Sequence, residues 1–125
     1  MPFDWSEYLE LADWLTKNAA DLRSPEAAHR SAISRAYYCA FNSALALLVR
    51  KREYQPTGES KDHGNVVRAY QQHAAAPLKQ IGTWLGRLRD RRRRADYDAE
   101  IVDPGGAATA SVRDARQVMT YLTAQ

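Results

Sequence analysis

Apolar residues recur at every third or fourth position along most of this 125-residue chain, and they do not alternate as a half-buried strand requires. This spacing predicts five amphipathic helices and no strand. The predicted helices cover about residues 4–22, 24–52, 63–73 and 77–99, followed by a last helix that includes residues 112–122. Because short connections favour antiparallel neighbours, we expect an all-α, up-and-down bundle of four or five helices. Residues 1–125 are predicted to form a single domain.

Three boundaries carry residues that favour a helix end. Residues 24–26 (Ser-Pro-Glu) supply a capping hydroxyl, a proline in the first turn and an acid near the positive helix end. Asp62 is predicted to cap the short middle helix. Residues 104–106 (Pro-Gly-Gly) are predicted to separate the last two helices.

Composition narrows the class of protein. The single cysteine, Cys39, has no partner for an internal disulfide, and no Cys/His cluster has zinc-ligand spacing, so we expect neither metal nor cofactor. No stretch approaches the ~18 apolar residues of a membrane span, and the opening MPFDWSEYLE lacks the features of a signal peptide. We therefore expect a cytoplasmic protein.

The net charge of +3 conceals a strongly basic middle segment. Residues 27–94 carry fourteen basic and four acidic side chains, whereas both flanking segments are acidic. Fourteen of the eighteen basic residues are arginine, whose planar guanidinium suits two-point contact with phosphate or carboxylate. The charge distribution therefore predicts a nucleic acid or an acidic protein surface as partner.

Six arginines fall within eight residues of the fourth predicted helix. At ~100° per residue, Arg87, Arg91 and Arg94 share a face opposite the apolar stripe, so they are predicted to be solvated and to form a phosphate-binding track. Arg89 and Arg93 are further candidate nucleic-acid contacts. The alternative is a solvated face that only keeps the chain soluble, although like charges so close together repel one another.

Arg92 has a different helical phase and falls inside the apolar stripe, with Asp96 one turn further on. A guanidinium on a buried face needs a partner for its charge and its donors. Two interpretations follow. Arg92 either forms a structural ion pair with Asp96, or it lies at a subunit interface or in an active cleft.

Three segments in order resemble the HEPN family of small prokaryotic proteins. They are residues 35–41 (RAYYCAF), residues 63–67 (HGNVV) and residues 95–98 (ADYD), and the resemblance covers about residues 24–98. It implies a four- or five-helix bundle that commonly forms a homodimer. Family members act as RNases, toxins, antiphage effectors or partners of minimal nucleotidyltransferases. We therefore expect RNA as a ligand, with Arg35 among its contacts, and an operon-encoded nucleotidyltransferase as a possible partner protein.

The chain departs from the catalytic members of that family at one motif. Those members carry an Arg and a His separated by four to six residues near the position of the third segment, but this sequence has no His after residue 77. A metal-independent RNase needs a group that moves protons and a cation that stabilises the phosphorane. Arg92 is the candidate cation and His63 the candidate acid or base; alternatively, His63 only forms hydrogen bonds within residues 62–65.

Asp96 and Tyr97 complete the candidate site. The Tyr97 hydroxyl can contribute to catalysis or accept a modifying nucleotide, as the family resemblance implies; the alternative is a packing role. Tyr37 and Phe41 lie on the apolar stripe and are predicted to be core, and Arg35 lies opposite it.

Three functions remain open from the sequence. The first is a toxin or defence component with endoribonuclease activity. The second is a non-catalytic module that binds RNA or an acidic protein. The third is a regulatory subunit of a nucleotidyltransferase or another effector.

Overall fold

The computed structural model describes residues 2–125, and within them the chain forms five α-helices and no strand. In chain order these are α1 (Ser6–Asn18), α2 (Pro25–Arg50), α3 (Lys61–Gln71), α4 (Ala76–Tyr97) and α5 (Pro104–Thr123). A 3₁₀ turn, Ala19–Asp21, follows α1. The predicted all-α class and the helical bundle are confirmed.

Helix α2 lies at the centre of the bundle, because α1, α4 and α5 all pack along it. Its buried face is rich in alanine, and these small side chains let the neighbouring helices approach closely. The buried alanines of α2 are Ala28, Ala32, Ala36, Ala40 and Ala44. Larger side chains fill the space between helices; Tyr37 and Phe41 are buried, as the apolar stripe predicted.

Among the helices within residues 2–125, α2 alone is long and apolar enough to cross a membrane, judged by length and composition. Of its most apolar window, 61% is buried inside the bundle. The same residues therefore form the centre of the helical core.

The start of α2 follows the predicted capping pattern. Ser24 has extended backbone, and its hydroxyl oxygen accepts a hydrogen bond from the Ala27 N–H at 3.3 Å. Helix α5 begins in a similar way, because the Asp103 carboxylate accepts from the Gly106 N–H at 3.1 Å. Asp103 has a positive φ of 46°, a conformation that Asn and Asp tolerate better than most side chains.

The expectation that Asp62 caps the middle helix was wrong. Helix α3 begins at Lys61, two residues earlier than predicted, so Asp62 lies in its first turn and its side chain turns back toward the preceding loop. Its carboxylate accepts hydrogen bonds from the N–H groups of Thr57 and Gly58 and from the hydroxyls of Thr57 and Tyr54. These hydrogen bonds, that from Tyr54 first, lower the pKa of Asp62 to about 2. The loop is thereby fixed next to His63.

Helix α4 ends at Tyr97, two residues earlier than predicted, and Arg30 of α2 binds the carbonyl groups at that end. Its Nη1 donates to the carbonyl oxygens of Ala95 at 3.0 Å and Asp98 at 2.6 Å, and its Nη2 donates to that of Ala99 at 3.1 Å. A guanidinium here satisfies carbonyls that have no partner inside the helix, and it complements the negative helix end.

Helices α3 and α4 approach each other very closely at Gly82. A Cβ atom at this position would lie 2.4 Å from the backbone nitrogen of Gln71 and 2.7 Å from the carbonyl carbon of Tyr70. Only glycine leaves room for that approach. The contact fixes α3 against α4 and so determines where the first turn of α3 lies relative to the arginines of α4.

Candidate functional site

An arginine-lined cleft opens between α2, the start of α3 and the second half of α4. Its volume is about 500 Å³. The lining residues are Tyr38, Ser60, Lys61, His63, Arg89, Arg92, Arg93 and Tyr97. Four of the eight are cations and none is a carboxylate. The arginine-lined cleft is therefore suited to an anion with more than one charge.

Arg92 is the most buried cation of the cleft, with 8% of its surface exposed. Its guanidinium lies 5.1 Å from the ring centroid of Tyr37 and 5.5 Å from that of Tyr38, within the range of cation–π contacts. Its Nη1 is 3.5 Å from Asp96 Oδ2, and its Nε is buried without a hydrogen-bond partner within residues 2–125. The ion pair predicted with Asp96 is present but long, and it leaves donors of Arg92 unused.

Arg89 lies one turn before Arg92 and Arg93 on α4 and is half-buried. Its Nε also lacks a hydrogen-bond partner among the described residues. The guanidinium lies against Gly64 of α3, where a Cβ atom would be 3.6 Å from both terminal nitrogens. The guanidinium of Arg89 therefore packs against α3 at Gly64.

His63 does not form the local hydrogen bonds that were one of its two interpretations. Its Nδ1 lies 2.5 Å from the Tyr37 hydroxyl oxygen, across the boundary between α3 and α2. The imidazole also stacks on Phe41, with ring centroids 4.3 Å apart and planes inclined by 17°. Two contacts with core residues of α2 therefore fix the ring, and they place it in the same cleft as Arg92.

Electrostatics favour the uncharged form of His63. Burial lowers the pKa of His63, and the charges of Arg92 and Arg89 lower it further, while Asp62 opposes them weakly. Burial raises the pKa of the Tyr37 phenol to about 12, so the phenol keeps its proton. We assign that proton as donated to Nδ1, which leaves the imidazole proton on Nε2. His63 Nε2 has no hydrogen-bond partner within residues 2–125.

Tyr38 and Tyr97 give the cleft two aromatic groups. The Tyr38 ring is flanked by the guanidinium groups of Arg92 and Arg35, the latter at 5.3 Å from its centroid. Tyr97 is 78% exposed at the rim, so its predicted alternative role in packing was wrong. Asp96 is exposed and lies outside the lining of the cleft.

Arg35, predicted as a nucleic-acid contact, lies beside the cleft and not in it. Its guanidinium is 4.7 Å from the ring centroid of Tyr8, on the other side from Tyr38. It also lines a separate groove between α1, α2 and the end of α4. Arg35 is therefore connected to the cleft only through the ring of Tyr38.

The predicted phosphate track does not exist as one solvated face. Arg87 and Arg94 are exposed, but Arg91 turns inward and its Nη1 donates to Asp114 Oδ2 of α5 at 2.8 Å. Asp114 is 3% exposed. The sequence prediction for Arg91 was wrong because the helical phase does not reveal that α5 packs on this side and offers a buried carboxylate. Arg93, in contrast, is exposed at the rim of the cleft.

We expect Arg91→Ala to lower the free energy of unfolding by ~3 kcal/mol, because Asp114 would remain as a buried charge without its main partner. The matched control is Arg94→Ala, which removes the same charge from an exposed position of the same helix. Its effect should stay below ~0.5 kcal/mol. Urea denaturation measures both, and equal losses would contradict a structural role specific to Arg91.

Sequence reasoning did not identify Tyr37, Tyr38, Ser60 and Lys61 as parts of the site. Tyr37 was assigned to the core from its apolar phase, and its burial is indeed complete. Its hydroxyl nevertheless reaches His63, which follows 26 positions later in the chain. The available signal was the adjacent pair Tyr37-Tyr38, which begins two residues after Arg35.

Two further observations concern metal ions and Cys39. Within residues 2–125, no group of three or more His, Cys, Asp and Glu side chains is placed to hold a metal ion. Cys39 is buried, and burial raises the pKa of its thiol to about 11, so it does not act as a thiolate at neutral pH.

Comparison with models of protein families, with curated proteins and with solved structures found no match to this chain.

Proposed function

We propose that this chain is a HEPN-type protein that binds RNA in the arginine-lined cleft, as a component of a toxin or defence system. The observation that carries the proposal is Arg92, a largely buried cation with an unpartnered Nε in a cleft that has no carboxylate in its lining. A desolvated guanidinium whose ion pair is long is incompletely neutralised, and a bound phosphate group would supply the missing negative charge.

The aromatic groups make a nucleic acid a better ligand than a simple anion. Bases stack on aromatic side chains while arginines contact the backbone, and this combination is typical of single-strand binding proteins. Tyr97 is exposed at the rim and Tyr38 lies in the wall. The same cleft is lined by three arginines of α4, which are Arg89, Arg92 and Arg93. The preference for RNA over DNA rests on the resemblance of residues 24–98 to the HEPN family.

The site also contains the groups for metal-independent cleavage of RNA. In that reaction the 2′-oxygen attacks phosphorus, the bond to the 5′-oxygen breaks, and a 2′,3′-cyclic phosphate forms. Arg92 and Arg89 would stabilise the charge of the phosphorane. His63, once protonated, would give its proton to the leaving 5′-oxygen, and solvent would accept the proton of the 2′-hydroxyl. Tyr97 would position the neighbouring base.

The first experiment measures the affinity of the protein for a fluorescent single-stranded RNA as a function of salt. If the four cations of the cleft each neutralise one phosphate, the logarithm of the association constant should fall with a slope of about −2.8 against the logarithm of salt concentration. This slope corresponds to a ~50-fold loss between 50 and 200 mM salt. Binding that does not depend on salt, or no binding, would refute the proposal.

The same RNA, incubated without added metal and separated on a gel, distinguishes the two forms of the proposal. Products ending in a cyclic phosphate would establish an endoribonuclease. Intact RNA that is nevertheless bound would identify a non-catalytic binding module. The absence of a histidine after residue 77 favours the second outcome over the first, because His63 is the one imidazole in the cleft.

A further inference from the structure

We propose that the anion that occupies the arginine-lined cleft brings a proton with it from solvent, and that His63 receives this proton. The inference rests on the proposed function, because the same cleft is used, and it specifies how that cleft is regulated. Binding and protonation would form one coupled equilibrium. The empty cleft would hold a neutral imidazole, and the occupied cleft would hold an imidazolium.

His63 is surrounded mainly by positive charge. On α4, Arg89 and Arg92 face it; on α2, it contacts the uncharged phenols Tyr37 and Tyr38; on α3, Asp62 is its neighbour in the chain. Lys61 and Arg93 add positive charge to the same cleft. Asp62 offsets this charge only in part, because its carboxylate is turned toward the loop at Thr57 and Gly58. A positive charge on the imidazole of His63 is therefore unfavourable while the cleft is empty.

A bound anion reverses this balance. It would lie among Arg89, Arg92 and His63, and an opposite charge within ~4–6 Å shifts a pKa by ~1–3 units toward the charged form. Arg89 and Arg92 both line the cleft, and the ion pair of Arg92 with Asp96, at 3.5 Å, leaves the charge of Arg92 incompletely balanced by the protein. Anion binding would thus remove the repulsion that keeps His63 neutral.

Tyr37 would hold the His63 ring both in the empty cleft and in the occupied cleft. A phenol hydroxyl can donate or accept a hydrogen bond. In the empty cleft it donates to the unprotonated Nδ1. After a proton is added to Nδ1, the hydroxyl turns and its oxygen accepts from Nδ1–H, so the contact of 2.5 Å persists with its direction reversed. Tyr37 is therefore a positioning residue, and the stack on Phe41 prevents the ring from rotating away.

The linkage has a defined sign. Because binding raises the pKa of His63, affinity for the anion increases as pH falls through the range between the pKa of the empty cleft and that of the occupied cleft. Above that range His63 is neutral in both states and pH has no effect. The pKa in the empty cleft lies below the ordinary value of a histidine. The coupling should therefore appear on the acidic side of neutrality and extend upward when the anion is present.

The test follows the three histidine rings by NMR as a function of pH, first in sodium chloride and then in sodium sulfate at matched ionic strength. Sulfate is the probe because its charge does not change in this pH range and because it cannot be cleaved. The titration midpoint of His63 should rise in sulfate by at least ~1 unit, which corresponds to tenfold tighter binding of sulfate to the protonated protein. His29 and His73 lie outside the cleft, so they serve as internal controls for a general salt effect.

A variant separates the mechanism from a general salt effect. Arg89→Gln should raise the midpoint of His63 in chloride, because one repelling cation is gone, and should reduce the shift caused by sulfate. An unmoved His63 midpoint in sulfate, or a shift that is equal for all three histidines, would overturn the inference. If sulfate shifts His63 but RNA does not bind, the proposed function fails and the proton coupling stands. If RNA binds and His63 does not shift, only the coupling fails.

Discussion

Replacing Gly82 by alanine is expected to lower the free energy of unfolding by ~3 kcal/mol, the upper end of the usual effect of overpacking. The added Cβ would lie 2.4 Å from the nitrogen and 2.7 Å from the Cα of Gln71, and 2.7 Å from the carbonyl carbon of Tyr70. All three are backbone atoms at the end of α3, which cannot rotate aside as the tip of a side chain can. Helices α3 and α4 would have to separate.

This separation should also reach the arginine-lined cleft. His63 and Lys61 belong to the first turns of α3, whereas Arg89 and Arg92 belong to α4. A shift of α3 changes the distance between the two groups. Protein that still folds should therefore bind RNA more weakly than the wild type does.

Gly86→Ala is the matched control, one turn further along the same helix. A Cβ there would meet the flexible Nε2 tip of Gln71 at 2.9 Å and Val67 Cγ1 at 3.9 Å, with no backbone atom of another element among these contacts. Alanine favours a helix over glycine by up to ~1 kcal/mol, so Gly86→Ala should leave stability unchanged or slightly raised. Urea denaturation of both variants decides the matter; similar stability for the two would show that α3 and α4 are not in such close contact at Gly82.

The helices of this bundle could be predicted from the sequence because they depend on local periodicity and local caps. The spacing of apolar residues located all five, and Ser24 fixed the start of α2 as expected. The end of α4 was less predictable, because a partner distant in the chain decides it. Arg30 binds the end of α4 from 65 to 69 positions away, and no local pattern reveals that contact.

The candidate site was likewise predictable only where helical phase decides the environment of a residue. Helical phase alone separated Arg92 from the exposed arginines, and Arg92 is buried as expected. The same reasoning failed for Arg91, because its environment is decided by Asp114, 23 positions further on. His63 was selected by elimination, but the hydrogen bond to Tyr37 and the stack on Phe41 that hold it depend on how α3 docks on α2.

Arg92→Met is expected to weaken RNA binding by ~10- to 100-fold without destabilising the fold. One hydrogen-bonded contact to a charged group contributes ~1.5–3 kcal/mol, which corresponds to this change in the dissociation constant. Methionine keeps an unbranched side chain between Tyr37 and Tyr38 while removing a desolvated charge. Because the ion pair of Arg92 with Asp96 is 3.5 Å long, the free energy of unfolding should stay the same or rise.

The control is Arg87→Met, which removes the same charge from an exposed position of α4 that does not line the cleft. Its effect on affinity should be about twofold to threefold, since an exposed charge is largely screened beyond ~10 Å at 0.1 M salt. Fluorescence anisotropy with a single-stranded RNA and urea denaturation, applied to both variants, separate the two interpretations of Arg92. Loss of affinity at unchanged stability assigns Arg92 to the ligand. Loss of several kcal/mol of stability at unchanged affinity would instead assign it to a structural pair with Asp96, and the arginine-lined cleft would lose its central cation.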